Sequence, residues 1–504
     1  MADAMRDHIT ECGEKIILQR SKEIDGIMEN KKIDEFKVSP DFIDQLLTLH
    51  RKYATLIRKE FNNDSLFEKA LVQAFQRIMK NEPQDHLTFD INQSNGTTLH
   101  VCGNAQMLAG AIDHIYRHSD DFDTRDDLER RLTECAELFE FLTDKDYFIE
   151  FHTTFLSQRL LGKKFNTDEE KFFIGKIKLK EGPQFTNQQE TMIADLEKYR
   201  DASSSSNNGS SGETKSTSSV NQFKEHFKTT FLLKKKETSS CWKGDEFNVK
   251  LLTGASWPSV TNPPDIIIPA SVRNAIAHYE LFYKTFEMHS SRQLLWSHML
   301  GEIELAFTPR RKGKKKTYRI TMTPLQAYVC LSFTSFDHVM TGAHLNALLA
   351  LDSDRGVLPA VEKAGKLKRI LHAFCFMKKK KIMLCLDNEG NKMKKMKIDQ
   401  ASFQCDINFK ADKNKLKMPR PHFDAKKVVA KAKEDRKGTI DACIVRIMKA
   451  ATVKTQKDLI SEVLQQLTTF TIDRYSIKPR IDGLIDQNYL ERSEDDVNEL
   501  NYLA

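Results

Sequence analysis

The chain has 504 residues, of which 40% are hydrophobic and 30% charged, and its formal net charge is +7 at pH 7. Because hydrophobic cores stop growing near ~250 to 300 residues, this length predicts several domains. No apolar run approaches the ~18 residues of a membrane-spanning helix, and the first residues lack a secretory signal. We therefore expect a protein of the cytoplasm and nucleus with no membrane partner, whose nine cysteines stay reduced.

From Asp3 to about Leu196, apolar residues recur at spacings of three or four, which is typical of packed helices. Asp64, three residues before Phe67, is a candidate N-cap. This part is predicted to be a bundle or stack of antiparallel helices. Three stripes carry the pattern: Phe42, Leu46, Leu49, Tyr53 and Leu56; Phe67, Leu71, Phe75 and Ile78; and Leu128, Leu132, Cys135, Leu138 and Leu142.

The segment Asp201–Ser219 is almost purely Ser, Gly, Asn and Thr, and it is predicted to be a disordered loop because it cannot bury enough apolar surface. After it, short β-rich runs alternate with helical ones, which predicts a mixed α+β region. The β-rich runs are Phe247–Pro258, Leu300–Phe307, Tyr318–Phe333 and Lys381–Asp387, and the main helical runs are Val272–His289 and Ala360–Phe374.

Positive charge is concentrated in three short runs within this α+β region, at Arg310–Lys316, Lys378–Lys381 and Met393–Lys397. Each run lies between apolar alternating segments. Two interpretations stay open: the runs are solvated hairpin or loop tips, or they form a surface that recognises something acidic.

The C-terminal residues predict three helices and an extended hairpin, the pattern of a winged helix. The helical segments are Ile440–Lys449, Ser461–Leu467 and Ser476–Arg492. If Ser476 is the N-cap of the third helix, Pro479 lies in the first turn, where its missing amide costs nothing.

On the first of these helices, Ile440, Ile444 and Ile447 form an apolar stripe with Val445 and Met448 at its edge. Lys449 lies off that stripe and should project into water.

Several of these segments resemble the cullins, the elongated scaffold subunits of multi-subunit ubiquitin ligases. The resemblance is carried by the IVRIMK motif that ends at Lys449, by the YLA terminus, and by the TGASWP motif that ends at Pro258. It continues in Phe282–Trp296, and upstream in Leu46–Phe75 and Phe141–Leu161.

The resemblance implies a mainly α fold with an α+β region: a helical-repeat remnant, a four-helix bundle, an α/β cullin-homology region with winged-helix subdomains, and a C-terminal winged helix. The repeats that carry the adaptor site in the family are expected to be absent if Met1 is the true start, so the adaptor and substrate receptor stay open. The implied boundaries are 1–82 for the remnant of the third repeat, 105–235 for the four-helix region with its Ser-rich insertion at 201–219, 236–400 for the RING-docking region, 401–436 for a connecting segment and helix, and 437–504 for the neddylation domain.

In the family, the lysine of the IVRIMK motif accepts a ubiquitin-like protein. The resemblance therefore implies that Lys449 is the isopeptide acceptor, and that the modifier and its conjugation and removal machinery are partners. A RING-box protein adds a β-strand to the cullin-homology region, and a basic groove attracts the acidic tail of a ubiquitin-conjugating enzyme. The implied docking residues are Phe247, Val249, Leu251, Trp257 and Trp296 for the RING partner, and Arg159, Lys163 and Lys164 for the groove.

The segment after Lys449 departs from the family pattern. Family members commonly have Arg, Lys, Leu and His where this chain has Ala451, Thr452, Lys454 and Gln456. The end of that helix is therefore expected to be remodelled.

No common catalytic template matches, so we expect a non-catalytic scaffold without catalytic residues, metal or cofactor. One alternative keeps the fold but makes the chain an unmodified competitor that sequesters the RING partner. A second is a nucleic-acid-binding regulator that uses the third winged-helix segment. It is disfavoured because that segment carries Asp482 and Asp486 and its wing is acidic, which phosphate repels.

Overall fold

A computed structural model of the chain describes residues 1–29, 40–80, 103–162, 166–204, 247, 249–258, 267–285, 292–298, 300–311, 314–349, 365–376, 381–387, 389–393, 401–418, 425–467, 469–470, 472–493, 496 and 498–503. The Ser-rich segment that is predicted to be a disordered loop lies outside the described residues from residue 205 onward. The basic runs Lys378–Lys381 and Met393–Lys397 lie mostly outside them.

The N-terminal part is helical, as its periodicity predicts. Asp64 caps α3 as expected, because its Oδ1 accepts a hydrogen bond from the Leu66 amide at 2.8 Å. Thr124 caps α5 by accepting a hydrogen bond from the Asp127 amide at 3.1 Å. The helices are α1 (Ala2–Glu29), α2 (Pro40–Glu60), α3 (Ser65–Lys80), α4 (Gly103–Arg117), α5 (Arg125–Glu140), α6 (Lys145–Leu160), α7 (Thr167–Glu181) and α8 (Pro183–Ser204).

The three predicted stripes line one continuous hydrophobic core that reaches from α1 to α7. The stripe on α2 needs one correction, since Leu56 is 37% exposed and Ile57 is buried in its place. Ile43 and Leu47 are also buried, so the centre of the buried face is rotated toward them and away from Leu56.

Helix α1 contacts Ile78 of α3 at Gly13. A Cβ atom built there would lie 2.3 Å from Cδ1 of Ile78, a side chain that is fully buried. Because no real Cβ tolerates that distance, this helix contact depends on the missing side chain of the glycine.

The α+β region contains α9 (Ala270–Lys284), β1 (Ile303–Phe307), β2 (Arg310–Arg311), β3 (Lys314–Lys315), β4 (Tyr318–Met322), α10 (Pro324–Leu331), β5 (Val339–Thr341), α11 (Gly342–Leu349), α12 (Gly365–Cys375), β6 (Met383–Leu386), β7 (Ser402–Cys405) and β8 (Lys415–Lys417). One three-stranded sheet has the order β1-β4-β8, in which β1 and β4 are antiparallel and β8 is parallel to β4. A second sheet has the order β5-β7-β6 and is antiparallel.

Two predicted β-rich runs are corrected. The run Tyr318–Phe333 is a strand only up to Met322, because Thr323 and Gln326 form a capping box that begins a helix at Pro324. In the run Phe247–Pro258, the described residues form no strand. Strands β1 and β6 lie where the sequence predicts them.

The C-terminal part consists of α13 (Ala425–Ala451), β9 (Val453–Thr455), α14 (Gln456–Gln466), α15 (Arg474–Asp486), β10 (Leu490–Arg492) and β11 (Glu499–Tyr502). The three strands form an antiparallel sheet of order β10-β11-β9. This is the predicted winged helix with an additional strand, and the mainly α fold with an α+β region is confirmed.

Three local predictions in this part are wrong. The IVRIMK segment does not begin a helix but ends the long helix α13, which crosses the predicted boundary at residue 437. The third helix begins at Arg474 because Asp473 caps it, so Pro479 lies in the second turn. That helix ends at Asp486, and the predicted helical residues that follow it enter β10. Within the described residues, no helix is long and apolar enough to cross a membrane.

Candidate functional site

Lys449 lies in the last turn of α13, on the solvent side of the C-terminal core. Ile440, Ile444 and Ile447 are buried in that core as predicted, and Met448 is fully buried rather than at its edge. Lys449 is exposed, and no described residue forms an ion pair with it. The helix therefore presents this amine to solvent from a well-packed element.

The helix ends directly after Lys449 in an unusual way. Thr452 has a φ of +62°, the left-handed region that β-branched residues rarely adopt. Its amide donates to the Met448 carbonyl at 2.8 Å, and its carbonyl accepts from the Tyr502 amide at 2.8 Å. These bonds tie the end of α13 to the sheet, so the residues around the amine are held from both sides.

Two nearby cationic side chains are already engaged. The Arg446 guanidinium donates to Oε1 of Gln466 at 2.9 Å. The Lys454 amine forms an ion pair with Glu462. Because the charge of Lys454 is paired within the domain, it contributes little to attracting an acidic partner.

A cluster of charged and aromatic side chains joins α13 to the N-terminal end of α6. The Arg436 guanidinium donates to Asp144 at 2.9 Å and to both carboxylate oxygens of Asp146. It also lies 4.2 Å from the ring centroid of Tyr147 and 4.8 Å from that of Phe470. We call this set of five side chains the Arg436 clamp.

Two further contacts support the same interface. The Lys431 amine is 2.7 Å from a carboxylate oxygen of Glu150. The Lys145 amide donates to the Thr469 carbonyl at 3.2 Å. Burial alone would lower the pKa of Arg436, but its hydrogen bond to Asp146 and the charges of Asp146 and Asp144 raise that pKa above its ordinary value, so the cation persists.

The predicted RING-docking residues separate into two groups. Four of them, Phe247, Val249, Leu251 and Trp296, are partly buried and pack against an aromatic cluster centred on Tyr279 of α9. The Trp296 ring centroid is 6.4 Å from that of Phe247 and 5.8 Å from that of Tyr279. Since residues 247, 249 and 251 contact one cluster while Leu252 contacts another, the segment has the side-chain alternation of an extended chain.

Trp257, the fifth predicted docking residue, packs in a different hydrophobic cluster. It is 5% exposed and lies in a small core with residues of α6, α7 and α8. Its Nε1 donates to Oδ2 of Asp195 at 2.9 Å, and the same carboxylate accepts from the amide and hydroxyl of Thr253. Trp257 therefore anchors the extended segment to the helical bundle.

The structure corrects the prediction that Arg159 lines a basic surface groove. Arg159 is 7% exposed, and its guanidinium binds Glu170 through Nε and Nη2 at 2.6 and 2.9 Å and Asp113 through Nη1 at 2.8 Å. It also lies 4.6 Å from the ring centroid of Tyr116. Its charge is satisfied inside the bundle and cannot steer a partner. Lys163 and Lys164 lie outside the described residues.

Sequence reasoning missed the Arg436 clamp and the role of Asp195. For Asp195 a signal existed, because a buried tryptophan needs an acceptor for its indole N–H, although the sequence does not say which one. For the clamp there was none, since Arg436 and Asp146 are 290 residues apart.

Comparison with protein families matches three models to the chain. They are the Cullin alpha solenoid domain over residues 1–203, the Cullin alpha+beta domain over residues 251–409 and the Cullin protein neddylation domain over residues 435–496. Together they cover most of the chain, in the order that the helical part, the mixed part and the winged helix follow.

Curated relatives agree with these matches. Cullin-1 of Oryza sativa subsp. japonica is 28% identical over 512 residues, covering 100% of this chain and 59% of the relative. Cullin-2 of Arabidopsis thaliana is 28% identical, with 100% and 60% covered, and Cullin-1 of Caenorhabditis elegans is 27% identical, with 92% and 53% covered. The chain thus spans at most about three fifths of the length of these relatives. It belongs to the cullin family.

Proposed function

We propose that this chain is a scaffold subunit of a multi-subunit RING ubiquitin ligase of the cytoplasm and nucleus. It docks a RING-box protein and a ubiquitin-conjugating enzyme, and it is activated when a ubiquitin-like modifier is attached to Lys449. The observation that carries the proposal is the exposed Lys449 amine, held at the end of a packed helix within the region that matches the neddylation domain.

The chemistry required of an acceptor lysine is modest. The amine attacks a thioester that another enzyme holds, so it must be accessible, uncommitted to an ion pair and carried on an element that does not move during transfer. Lys449 meets the first two conditions among the described residues. The buried neighbours Ile447 and Met448 and the backbone bonds of Thr452 support the third. Attack requires the neutral amine, which the partner enzymes help to generate.

The segment around Val249 supports the RING-docking part of the proposal. It is extended and anchored at Thr253 and Trp257, yet the described residues form no strand there. A partner strand that pairs with such a segment would gain backbone hydrogen bonds by β-augmentation.

A first experiment tests the acceptor. Wild-type chain isolated from cells should carry the mass of one ubiquitin-like modifier, and Lys449→Arg should abolish that shift. Lys457→Arg is the matched control, because Lys457 is an exposed lysine in the next helix and should not matter. A shift that survives Lys449→Arg would refute the assignment.

A second experiment tests RING docking. Val249→Pro removes one backbone N–H from the extended segment, whereas Val249→Ala removes only side-chain contacts. If a strand pairs here, recovery of the RING-box protein should fall much further with proline than with alanine. Deleting residues 247–258 is a poorer test, since it also removes the Trp257 anchor. Equal recovery with both variants would contradict pairing at this position.

The same measurements separate the alternatives. RING-box binding without any modifier shift would favour the unmodified competitor. The third winged-helix segment remains a poor candidate for nucleic-acid binding, because Arg480 is held by Asp441 at 2.8 Å and Arg492 by Asp482 at 2.9 Å.

A further inference from the structure

A small cavity lies in the helical bundle between α6, α7 and α8. Most of its wall is apolar and comes from Phe148, Phe173, Ile174 and Ile177. Three polar side chains also line it: His152 of α6, and Thr186 and Gln189 of α8. The volume of the cavity is about 10 Å³, and one buried water needs ~10 to 15 Å³. The cavity can therefore take one water molecule and no larger ligand.

Two polar atoms of the residues that line this cavity have no hydrogen-bond partner among the described residues. They are Nε2 of His152 and Oε1 of Gln189, which belong to residues that are 1% and 0% exposed. Buried polar groups in folded proteins are almost always hydrogen-bonded, so each of these atoms needs a partner. Since both residues line one cavity, a single bound molecule can supply the partner of both atoms.

Both side chains are held in place by other contacts. The Nε2 atom of Gln189 donates to Oγ1 of Thr153 at 2.6 Å, and because the amide group is planar, this bond also restricts the direction of Oε1. The ring centroid of His152 is 5.7 Å from that of Phe148 and 5.4 Å from that of Phe173. A direct bond between His152 and Gln189 would require one of them to give up these contacts.

The chemistry of the two atoms defines the ligand. Burial and the charge of Arg159 lower the pKa of His152 well below 6.5, so its ring is neutral at pH 7. A neutral imidazole has one nitrogen that donates and one that accepts, whereas the amide oxygen of Gln189 only accepts. The ligand must therefore donate to Gln189 and either donate to His152 or accept from it. Water can do both within this volume.

We propose that one water molecule is bound in this cavity and bridges Nε2 of His152 to Oε1 of Gln189. The water donates one hydrogen to Oε1 and forms its second hydrogen bond with Nε2. A third bond is available at Thr186, whose hydroxyl donates to Oε1 of Glu190 at 3.0 Å and can still accept. About three hydrogen bonds are usual for a buried water. The proposal is independent of the ligase function.

This water completes a polar connection between α6 and α8 that the bond from Gln189 to Thr153 begins. Helix α6 carries Asp146, which binds Arg436 of the C-terminal domain. Helix α8 carries Asp195, which holds the extended segment through Trp257. The bound water thus joins the helix that holds the C-terminal domain to the helix that anchors the extended segment.

A high-resolution crystal structure of the full chain tests the site directly. A water oxygen should lie ~2.5 to 3.2 Å from both Nε2 of His152 and Oε1 of Gln189. A direct hydrogen bond between these two side chains would overturn the proposal. So would electron density that defines both side chains but shows no water between them.

A double-mutant cycle followed by thermal unfolding tests the connection in solution. His152→Phe and Gln189→Met each remove one polar end of the bridge and leave the other without a partner, so each should lower the melting temperature by about 2 to 6 °C. The double variant leaves neither end unpaired. It should lose clearly less than the sum of the two single losses.

The matched control uses the neighbouring glutamine of the same helix. Gln188 is not among the residues that line the cavity, and its Nε2 donates to the Ser256 carbonyl at 2.9 Å. The losses of Gln188→Met and His152→Phe should therefore add. Additive losses for His152→Phe and Gln189→Met as well would overturn the proposal.

Discussion

The Arg436 clamp predicts that one substitution will loosen the C-terminal domain from the helical bundle. The side chains of Arg436, Asp144 and Asp146 are 18%, 22% and 18% exposed. Arg436→Ala removes the guanidinium that donates to both carboxylates, together with its contacts to the two aromatic rings. Breaking a fully buried pair costs about 3 to 5 kcal/mol and an exposed one at most about 1 kcal/mol. For this partly buried clamp we expect about 2 to 3 kcal/mol.

This loss of free energy should make the C-terminal domain separate more easily from the helical bundle, without unfolding either of them. A loss of 2 to 3 kcal/mol raises the open population by roughly 30- to 150-fold. Hydrogen exchange measures this at the interface, where the Lys145 amide donates to Thr469. Exchange there should accelerate by that factor, while amides in the core of α15 near Ile481 keep their rates.

Two variants sharpen the test. Lys437→Ala removes the neighbouring charge on the same helix. Among the described residues, Lys437 pairs with Glu434 of that helix and is 52% exposed, so its loss should change exchange little. Arg436→Lys keeps the charge and loses the planar fork, and it should fall between wild type and alanine. If Arg436→Ala and Lys437→Ala behave alike, the clamp does not hold the domains together.

Three further substitutions test the packing and the backbone. Gly13→Ala should lower the free energy of unfolding by about 1 to 2 kcal/mol, because its new methyl group meets buried Ile78. Thr452→Gly should raise it by about 1 kcal/mol in urea unfolding, since glycine relieves the left-handed strain. Burial and the charge of Arg159 lower the pKa of His152 well below 6.5, so only the unfolded chain takes up that proton. Stability should therefore fall below pH ~6.5, by at most about 1.4 kcal/mol per pH unit, and less steeply in His152→Phe.

Control variants test the predictions for Gly13 and Thr452, and one outcome would contradict the prediction for His152. Gly438→Ala places a methyl group in open space on α13 and should stabilise by about 0.5 to 1 kcal/mol, opposite in sign to the Gly13 variant. Asn488, at a φ of +60°, is of a type that tolerates this conformation, so Asn488→Gly should gain less than Thr452→Gly. An unchanged acid slope in His152→Phe would show that other groups govern the acid response.

Local rules predicted much of the fold and part of the site. Apolar spacing gave the helices and placed Lys449 outside the buried stripe, and Asp64 was found by its capping chemistry. The start of α15 was misplaced because Asp473 and Ser476 are both good caps, and only packing decides between them. Arg159 was misassigned because a basic residue near a helix end looks solvated, although its spacing of three from buried Leu156 was a warning.

What could not be predicted depends on contacts between distant residues. Nothing in the sequence pairs Arg436 with Asp146, or Trp257 with Asp195, since each contact requires the domains to be assembled. The strand β9 was missed for the same reason, as its three residues become a strand only when β11 lies beside them.

The unbroken run of α13 from the clamp to the acceptor has a mechanical consequence. Lys449 lies thirteen residues after Arg436 on the same helix, and at ~1.5 Å per residue this part of α13 is about 20 Å long. The Arg436 clamp holds this helix to the helical bundle. A tilt of α13 by about 10° at the clamp would move the Lys449 nitrogen by roughly 3 to 4 Å. That displacement is larger than the misplacement that an amine and the thioester it attacks can tolerate. The position of the Lys449 amine therefore depends on the contacts that Arg436 makes about 20 Å away.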